Sequence, residues 1–329
     1  MNAPAAPDVS ITVVAYNSEE TLAACLGSVM APVRAGRAEL IVVDNASPDG
    51  SAALVARDFP EARLIRSPSN LGFAGGMNRA WSASRGRYWL LLNPDVTAPA
   101  GGVDALVSWA DAHPAVGAVS PELVDEAGHV ACAARRFPSI ARSLLELSRL
   151  HLLLPDALRA RVFLGSYWRG SEDRLDADWV PATALLVRRD AVAAAGGLAE
   201  DLPFYGEDTE WCWRIGRAGF AIGLCGAVRF VHRESASARR TFGEEERDLR
   251  LWHGIYAAVE RMRGRLYART LTRIARVAFA LEARHPGRGP EQRAHARRHL
   301  VAHRALLRGW RPQALPGSAP PGAGGVAWS

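Results

Sequence analysis

The run Tyr88–Val96, Tyr-Trp-Leu-Leu-Leu-Asn-Pro-Asp-Val, constrains the fold more than any other stretch of the chain. An apolar segment this short suits a strand buried on both faces, as in parallel sheets covered by helices. Pro94 has no N–H to give a ladder and disfavours helix at Asn93, so the strand stops there and leaves Asp95 in a turn beyond its carboxyl end. In open α/β sheets that edge is where ligands bind.

The flanking sequence repeats the same alternation. Val9–Ala15 predicts a first strand, followed by a helix from Ser18 to about Met30 with Asn17 as its cap and Glu20 placed for a capping box. Glu39–Val43 predicts a second strand ending at Asp44-Asn45, and Ser47-Pro48 reads as cap and first-turn proline of a helix reaching Asp58. A third strand over Ala62–Arg66 leads into the glycine-rich turn Asn70–Asn78 and a helix carrying Ala80 and Trp81. Beyond the central run come a helix over Gly101–His113, a short strand over Ala115–Ser120 and amphipathic helices over Arg142–Leu154 and Asp156–Phe163. A strand over Trp179–Arg188, a helix over Gly206–Gly219 and a strand over Ala227–His232 follow. Such alternation predicts an α/β fold with a mostly parallel, doubly wound sheet.

From Arg233 to about Arg311 the composition turns to Arg, Ala and Leu at helical spacing, and from Pro312 to Ser329 to Pro, Gly, Ala and Ser. The chain therefore divides into a tail (1–8), an α/β catalytic domain (9–240), a basic helical extension (241–311) and a disordered tail (312–329). The basic helices have two uses: to cover the catalytic domain with their apolar stems, or to lie on an anionic membrane through Leu266, Ile274, Val277, Phe279 and Leu281 among Arg265, Arg269, Arg273 and Arg276.

Charge and cysteine use narrow the partners. A net charge of +6 favours anionic ligands, and no nucleic-acid-binding motif accompanies it. The four cysteines form no CxxC pair, so neither a zinc site nor a disulfide framework is expected, and a reducing cytoplasm suits them. The N-terminus lacks the basic and apolar regions of a secretory signal. No apolar run approaches the ~20 residues of a membrane span, so any membrane contact is peripheral. The first strand-to-helix turn has no glycine and carries Glu19 and Glu20 at the positive end of the helix, which argues against a dinucleotide-dependent oxidoreductase.

Three turns, Asp44-Asn45, Asn70–Asn78 and Asn93-Pro94-Asp95, fall on one edge of such a sheet and converge there. Singly, each is also an ordinary turn. Glu207-Asp208 opens a helix whose Trp211, Ile215 and Ala218 form a core stripe, so simple capping explains the pair as well as chemistry does. Trp179 and Trp213 suit either core or stacking, and Trp211 reads as core. His295, His299 and His303 recur every four residues among Arg297, Arg298 and Arg304, which reads as a solvated basic face.

Five segments in order, Val13-Val14-Ala15-Tyr16-Asn17, Val42-Val43-Asp44-Asn45-Ala46-Ser47, Asn70-Leu71-Gly72-Phe73-Ala74-Gly75-Gly76-Met77-Asn78, Asn93-Pro94-Asp95 and Gly206-Glu207-Asp208-Thr209-Glu210-Trp211-Cys212-Trp213-Arg214, resemble the family 2 glycosyltransferases of GT-A fold. They are most similar to the bacterial rhamnosyltransferase-like branch, over about Val9 to Ser237. The resemblance implies a nucleotide-sugar pocket of Ala15, Tyr16, Asn17, Asp44, Asn70, Gly72, Gly75, Asn78 and Asn93, with Asp44 reading the base. It implies a divalent cation, Mg or Mn, held by Asp95 as the surviving carboxylate of an Asp-x-Asp motif whose first position is Asn93, with His232 as a further ligand. Asp208 would be the general base and Glu207 its support. The implied reaction is inverting transfer of a sugar, by preference L-rhamnose from a thymidine diphosphate donor, to a lipid-linked saccharide in cell-surface glycan assembly. A non-catalytic binding module of the same fold is the rival that retention of both Asp95 and Asp208 opposes.

Overall fold

The computed structural model describes residues 6–132, 134–167, 172–202, 205–233 and 242–318. The segment around the expected domain boundary near 240, including Ser237, and the tail from 319 lie outside the described residues.

Four parallel strands form the first half of one sheet: β1 (Val9–Ala15), β2 (Ala38–Asp44), β3 (Arg63–Arg66) and β4 (Tyr88–Leu92). Every residue of β1 and β4 is buried, as continuous apolar strands between two helical layers must be. Ala15 lies opposite Asp44 and Asp44 opposite Arg66, so these strands end level with one another. The second half contains β5 (Val96–Thr97), β6 (Val116–Val124), β7 (Val130–Cys132), β8 (Arg174–Ala177), β9 (Ala184–Arg188) and β10 (Ala221–His232). The order is β3-β2-β1-β4-β9-β6-β10-β5, with β7 beside β6 and β8 beside β10. β9 runs antiparallel to both β4 and β6, which makes the sheet mixed. Consequently the start of β9 lies beside the end of β4: Leu92 pairs Ala184, and the Asn93 N–H donates to Thr183 O at 2.9 Å.

Helices α1 (Glu19–Arg34), α2 (Ser51–Asp58) and α4 (Gly102–Ala112) bury one face of the sheet, and α3 (Gly72–Trp81), α7 (Arg189–Ala195) and α8 (Glu207–Arg217) the other. α5 (Ile140–Leu147) and α6 (Asp156–Phe163) occupy the 140–163 region. Several local readings are corrected. Asn17 takes φ +52° ahead of Ser18, and the capping box does not form. Instead the Glu19 N–H donates to the Asp49 carboxylate and the Gly50 N–H to the Glu19 carboxylate, both at 3.0 Å. α2 starts at Ser51 because the Ser47 hydroxyl is turned back onto Ala15 O (3.2 Å) while Asp49 receives the Ser51 N–H (3.1 Å). α3 starts at Gly72, so Gly75 and Gly76 lie inside a helix. A Cβ on Gly76 would stand 2.8 Å from the Val14 methyls; that glycine lets the helix approach β1.

The extension is three helices, α9 (Glu244–Arg263), α10 (Arg265–Glu282) and α11 (Pro290–Leu307). It docks on the α/β domain where Tyr267 Oη accepts the Ile140 N–H at 3.1 Å. Here the solvated-histidine expectation is overturned: His299 and His303 are buried among Trp252, Tyr256 and Phe279. Trp252 Nε1 donates to His299 Nδ1, and Tyr256 Oη lies on His303 Nε2, both at 2.8 Å. Burial lowers the His303 pKa to about 4, so it stays neutral. Phe279 thus faces the bundle, while Leu266 (77% exposed), Val277 and Leu281 stay outside. Residues 312–318 carry no helix or strand but run back to the sheet edge.

Candidate active site

At the carboxyl ends of β1 and β2 the polar groups hold one another. Ala15 O accepts the Asn45 N–H (2.8 Å) and the Ser47 hydroxyl. Asn45 donates through Nδ2 to Asn70 Oδ1 (2.8 Å) and Gly72 O (3.0 Å), and accepts the Leu71 N–H (2.9 Å). Asn70 Oδ1 also takes the Gly72 N–H, while its Nδ2 donates to Pro316 O at 2.9 Å and its N–H to Gly317 O at 2.7 Å. Asn70 therefore fastens this loop and the C-terminal segment, with its side-chain oxygen and one of its two amide hydrogens engaged within the protein. Asn78 is corrected in the same way: both amide hydrogens go to Leu198 O and Glu200, and its oxygen takes the Leu198 N–H. It staples α3 to the loop ahead of α8. Gly75 approaches the Leu71 side chain, a packing duty. Asp44 remains well suited to a ligand: it is 6% exposed and gives one oxygen to the Ser47 N–H at 3.3 Å, which leaves the other for a base N–H. Tyr16 and Asn17 stand half-buried beside it.

β5 closes the next part of the site. It pairs antiparallel with the end of β10, Val96 opposite His232, so residues far apart in sequence meet. Asp95 Oδ1 lies 3.5 Å from His232 Nε2 and is buried without a hydrogen-bond partner among the described residues. An orphaned carboxylate oxygen facing an imidazole is the kind of donor pair that a divalent cation satisfies. No described cluster of three His, Cys, Asp or Glu surrounds it. Two protein donors would leave the remaining positions to diphosphate oxygens and water, which suits Mg or Mn. Asn93 contributes backbone here, its carbonyl accepting the Cys25 thiol at 3.3 Å.

α8 delivers the carboxylates. Its cap, Gly206, has φ +87°, and a Cβ there would stand 2.3 Å from Gly254 O of α9; the helix can start at this point only on glycine. Trp211 is fully buried against Trp89, and Arg214 ties the helix down through Glu210 (2.8 Å) and Gly197 O (2.7 Å). Asp208 takes the Thr209 N–H at 2.7 Å and the Thr209 hydroxyl at 3.3 Å. Desolvation nevertheless raises its pKa, with the Arg135 charge opposing. Glu207 is buried with one oxygen unpartnered among the described residues; burial, then the Asp208 charge, pushes it up to about 8. Burial thus holds both carboxyls above their ordinary range, and their adjacency opposes two negative charges at once.

One connection gathers these pieces. The segment 180–183 touches both sides: Val180 O accepts the Cys212 thiol of α8 at 3.8 Å, and Thr183 O accepts the N–H of Asn93, two residues from Asp95. Sequence reasoning passed over this segment and over Arg135, for neither carries a local motif.

The profile of Glycosyl transferase family 2 matches residues 10–129. The N-acetylglucosaminyl-diphospho-decaprenol L-rhamnosyltransferase of Mycobacterium tuberculosis is 28% identical over 217 residues, covering 61% of this chain and 68% of that protein. A succinoglycan biosynthesis protein of Rhizobium meliloti is 37% identical over 116 residues, 34% of this chain and 33% of that protein. A mannosyltransferase from Pyrobaculum calidifontis, solved with GDP-Man and Mn2+, superposes with TM-score 0.59 at 18% identity over 93% of this chain and 89% of that one. The matched residues include β1, β2, the Asn70 loop and Asp95, and the whole-chain likeness to the mannosyltransferase is one of fold: over residues 10–129 the chain is similar to the family 2 glycosyltransferases.

Proposed function

We propose that the protein transfers a sugar, by preference L-rhamnose, from a thymidine diphosphate donor to a saccharide carried on a lipid diphosphate, with inversion and with a divalent cation. The single observation that supports this reading most is that the 180–183 segment bonds α8, the helix of Asp208, at one end and Asn93, two residues from the Asp95 of the Asp95–His232 pair, at the other. The choice of sugar and acceptor is supported by the mycobacterial relative, whose name specifies a rhamnosyltransferase acting on a diphospholipid-linked sugar.

In this reading Asp44 holds the base beside Tyr16, and Asp95 with His232 holds the cation. The bound cation would neutralise the charge that develops on the departing diphosphate. Asp208 accepts the acceptor hydroxyl proton as that oxygen bonds to the anomeric carbon, opposite the bond to the diphosphate that breaks. Protonated Glu207 keeps a second negative charge away from the base and can donate a hydrogen bond to the acceptor.

A screen of nucleoside-diphosphate sugars, followed by calorimetry of the nucleoside diphosphate with and without Mn, tests the assignment. Asp95→Ala should lower metal-supported affinity by about tenfold or more, roughly 1.4 kcal/mol. An unchanged metal response removes Asp95 as a ligand.

A further inference from the structure

We propose that Arg135, propped over the indole of Trp179, is a phosphate-recognition residue for the acceptor, so that the site selects a saccharide carried on a diphosphate ester over the same saccharide on a neutral carrier. The inference rests on the glycosyltransferase reading and deepens it. Three observations support it. Arg135 is exposed, and its guanidinium carbon lies 5.6 Å from the Trp179 ring centroid. Its backbone is locked to that tryptophan in both directions, Arg135 N–H to Trp179 O at 3.0 Å and Trp179 N–H to Arg135 O at 3.2 Å.

The neighbouring cations are engaged otherwise. Arg136 pairs with Asp176 (2.8 Å) and Asp178 (3.2 Å), and Arg142 approaches Asp178 at 3.8 Å. Among the described residues Arg135 has no carboxylate partner, whereas Arg136 and Arg142 beside it face Asp176 and Asp178. The indole cannot drift, because Trp179 Nε1 donates to Arg136 O at 3.1 Å. From Trp179 the chain runs directly to the helix that carries Asp208: Val180 O accepts the Cys212 thiol of α8 at 3.8 Å.

A guanidinium held by a cation–π contact loses little by keeping one orientation, and its donor fork matches phosphate oxygens. Near Asp208 such an oxyanion has two sources, the acceptor's diphosphate or the donor's. Arg135 is tied through Trp179 and Val180 to α8, which carries Asp208, and no contact among the described residues ties it to the Asp95–His232 pair, which favours the acceptor.

The test compares a short-chain alkyl diphosphate-linked saccharide with the same saccharide as a neutral alkyl glycoside. Arg135→Gln should raise KM for the diphosphate acceptor about tenfold, as expected for loss of a charge-assisted contact. It should leave KM for the neutral acceptor and nucleoside diphosphate affinity unchanged, and Arg135→Lys should recover part of the loss; any change in kcat, which the Arg135 charge felt by Asp208 would bring, is common to both acceptors, so the effects are read in KM. Calorimetry of the diphosphate-linked saccharide against Asp208→Asn, with and without Arg135→Gln, reads the same contact without turnover and should show the same tenfold loss. Equal effects on both acceptors, no effect on either, or weakened nucleoside diphosphate binding each overturn the proposal while leaving the transferase reading in place. A parent protein that binds no nucleoside diphosphate and moves sugar to neither acceptor overturns that reading, and this inference with it.

Discussion

The two edges of this site are built on opposite principles. Around Asn45 and Asn70 every described amide group has a partner, and the loops after β1, β2 and β3 are locked into a single arrangement. Around Glu207 and Asp208 the polar groups are left in tension: one buried carboxylate oxygen is unpartnered, two carboxylates are adjacent, and both pKa values are raised. Backbone strain gathers at both, with Asn17 and Ala46 at φ +52° and +59° on one side and Tyr205 at φ +67° on the other. A satisfied network gives a rigid surface against which a nucleotide can be read. An unsatisfied one stores the electrostatic imbalance that proton transfer relieves.

The largest effect should come from the tense side. Asp208→Asn keeps the shape and the Thr209 contacts but removes the carboxylate proposed as the base, so transfer should fall by about 10²- to 10⁴-fold. Nucleoside diphosphate affinity should not change, because the other edge supplies it. A single-turnover rate within threefold of the parent would dismiss the contrast between the two edges.

Glu207 offers a thermodynamic version of the same test. Its carboxyl ionises near 4.5 when free but is raised to about 8 in the fold. The stability it contributes is therefore complete below about pH 4.5 and is lost as pH rises through 8. Glu207→Gln, neutral at every pH, should match the parent at pH 5 and exceed it at pH 9 by about 2–4 kcal/mol in urea unfolding. A difference that is the same at both pH values would mean that the carboxyl is not held protonated by its burial.

The first half of the sheet was legible in the sequence because its rules are local. Short apolar strands, Pro94 as a stop and Asp95 just past it follow from backbone chemistry within a few residues. What escaped depends on distant partners. β9 enters antiparallel between β4 and β6, and no local periodicity encodes that pairing. Ser47 looked like a cap until Ala15 O claimed its hydroxyl. His299 and His303 lie on a helix full of arginine, and their burial is decided by Trp252 and Tyr256, both on α9. Asp44, Asp95, His232 and Asp208 are candidates the sequence alone supplies, whereas the hydrogen bonds of Asn70 and Asn78 depend on the positions of residues 316 and 198, far along the chain.

The smallest effect belongs to the satisfied edge, and it concerns the C-terminal segment that completes it. Residues 313–318 run from α9, where Arg250 donates to Gln313 O at 3.0 Å, to Asn70, and a Cβ on Gly317 would lie 3.8 Å from the Tyr16 hydroxyl. Two backbone carbonyls thus occupy donors of Asn70 next to the ring expected to flank the base. Ending the chain at Arg311 returns those donors to solvent and uncovers Tyr16. Each exposed hydrogen bond is worth about 0.5–1.5 kcal/mol, and water replaces most of it, so stability should hardly move. Nucleoside diphosphate binding should tighten about two- to fivefold, because the open arrangement no longer competes with the segment. Weaker binding after truncation would reverse the sign: the segment would then be a wall of the pocket, and the satisfied edge would owe part of its rigidity to the last residues of the chain.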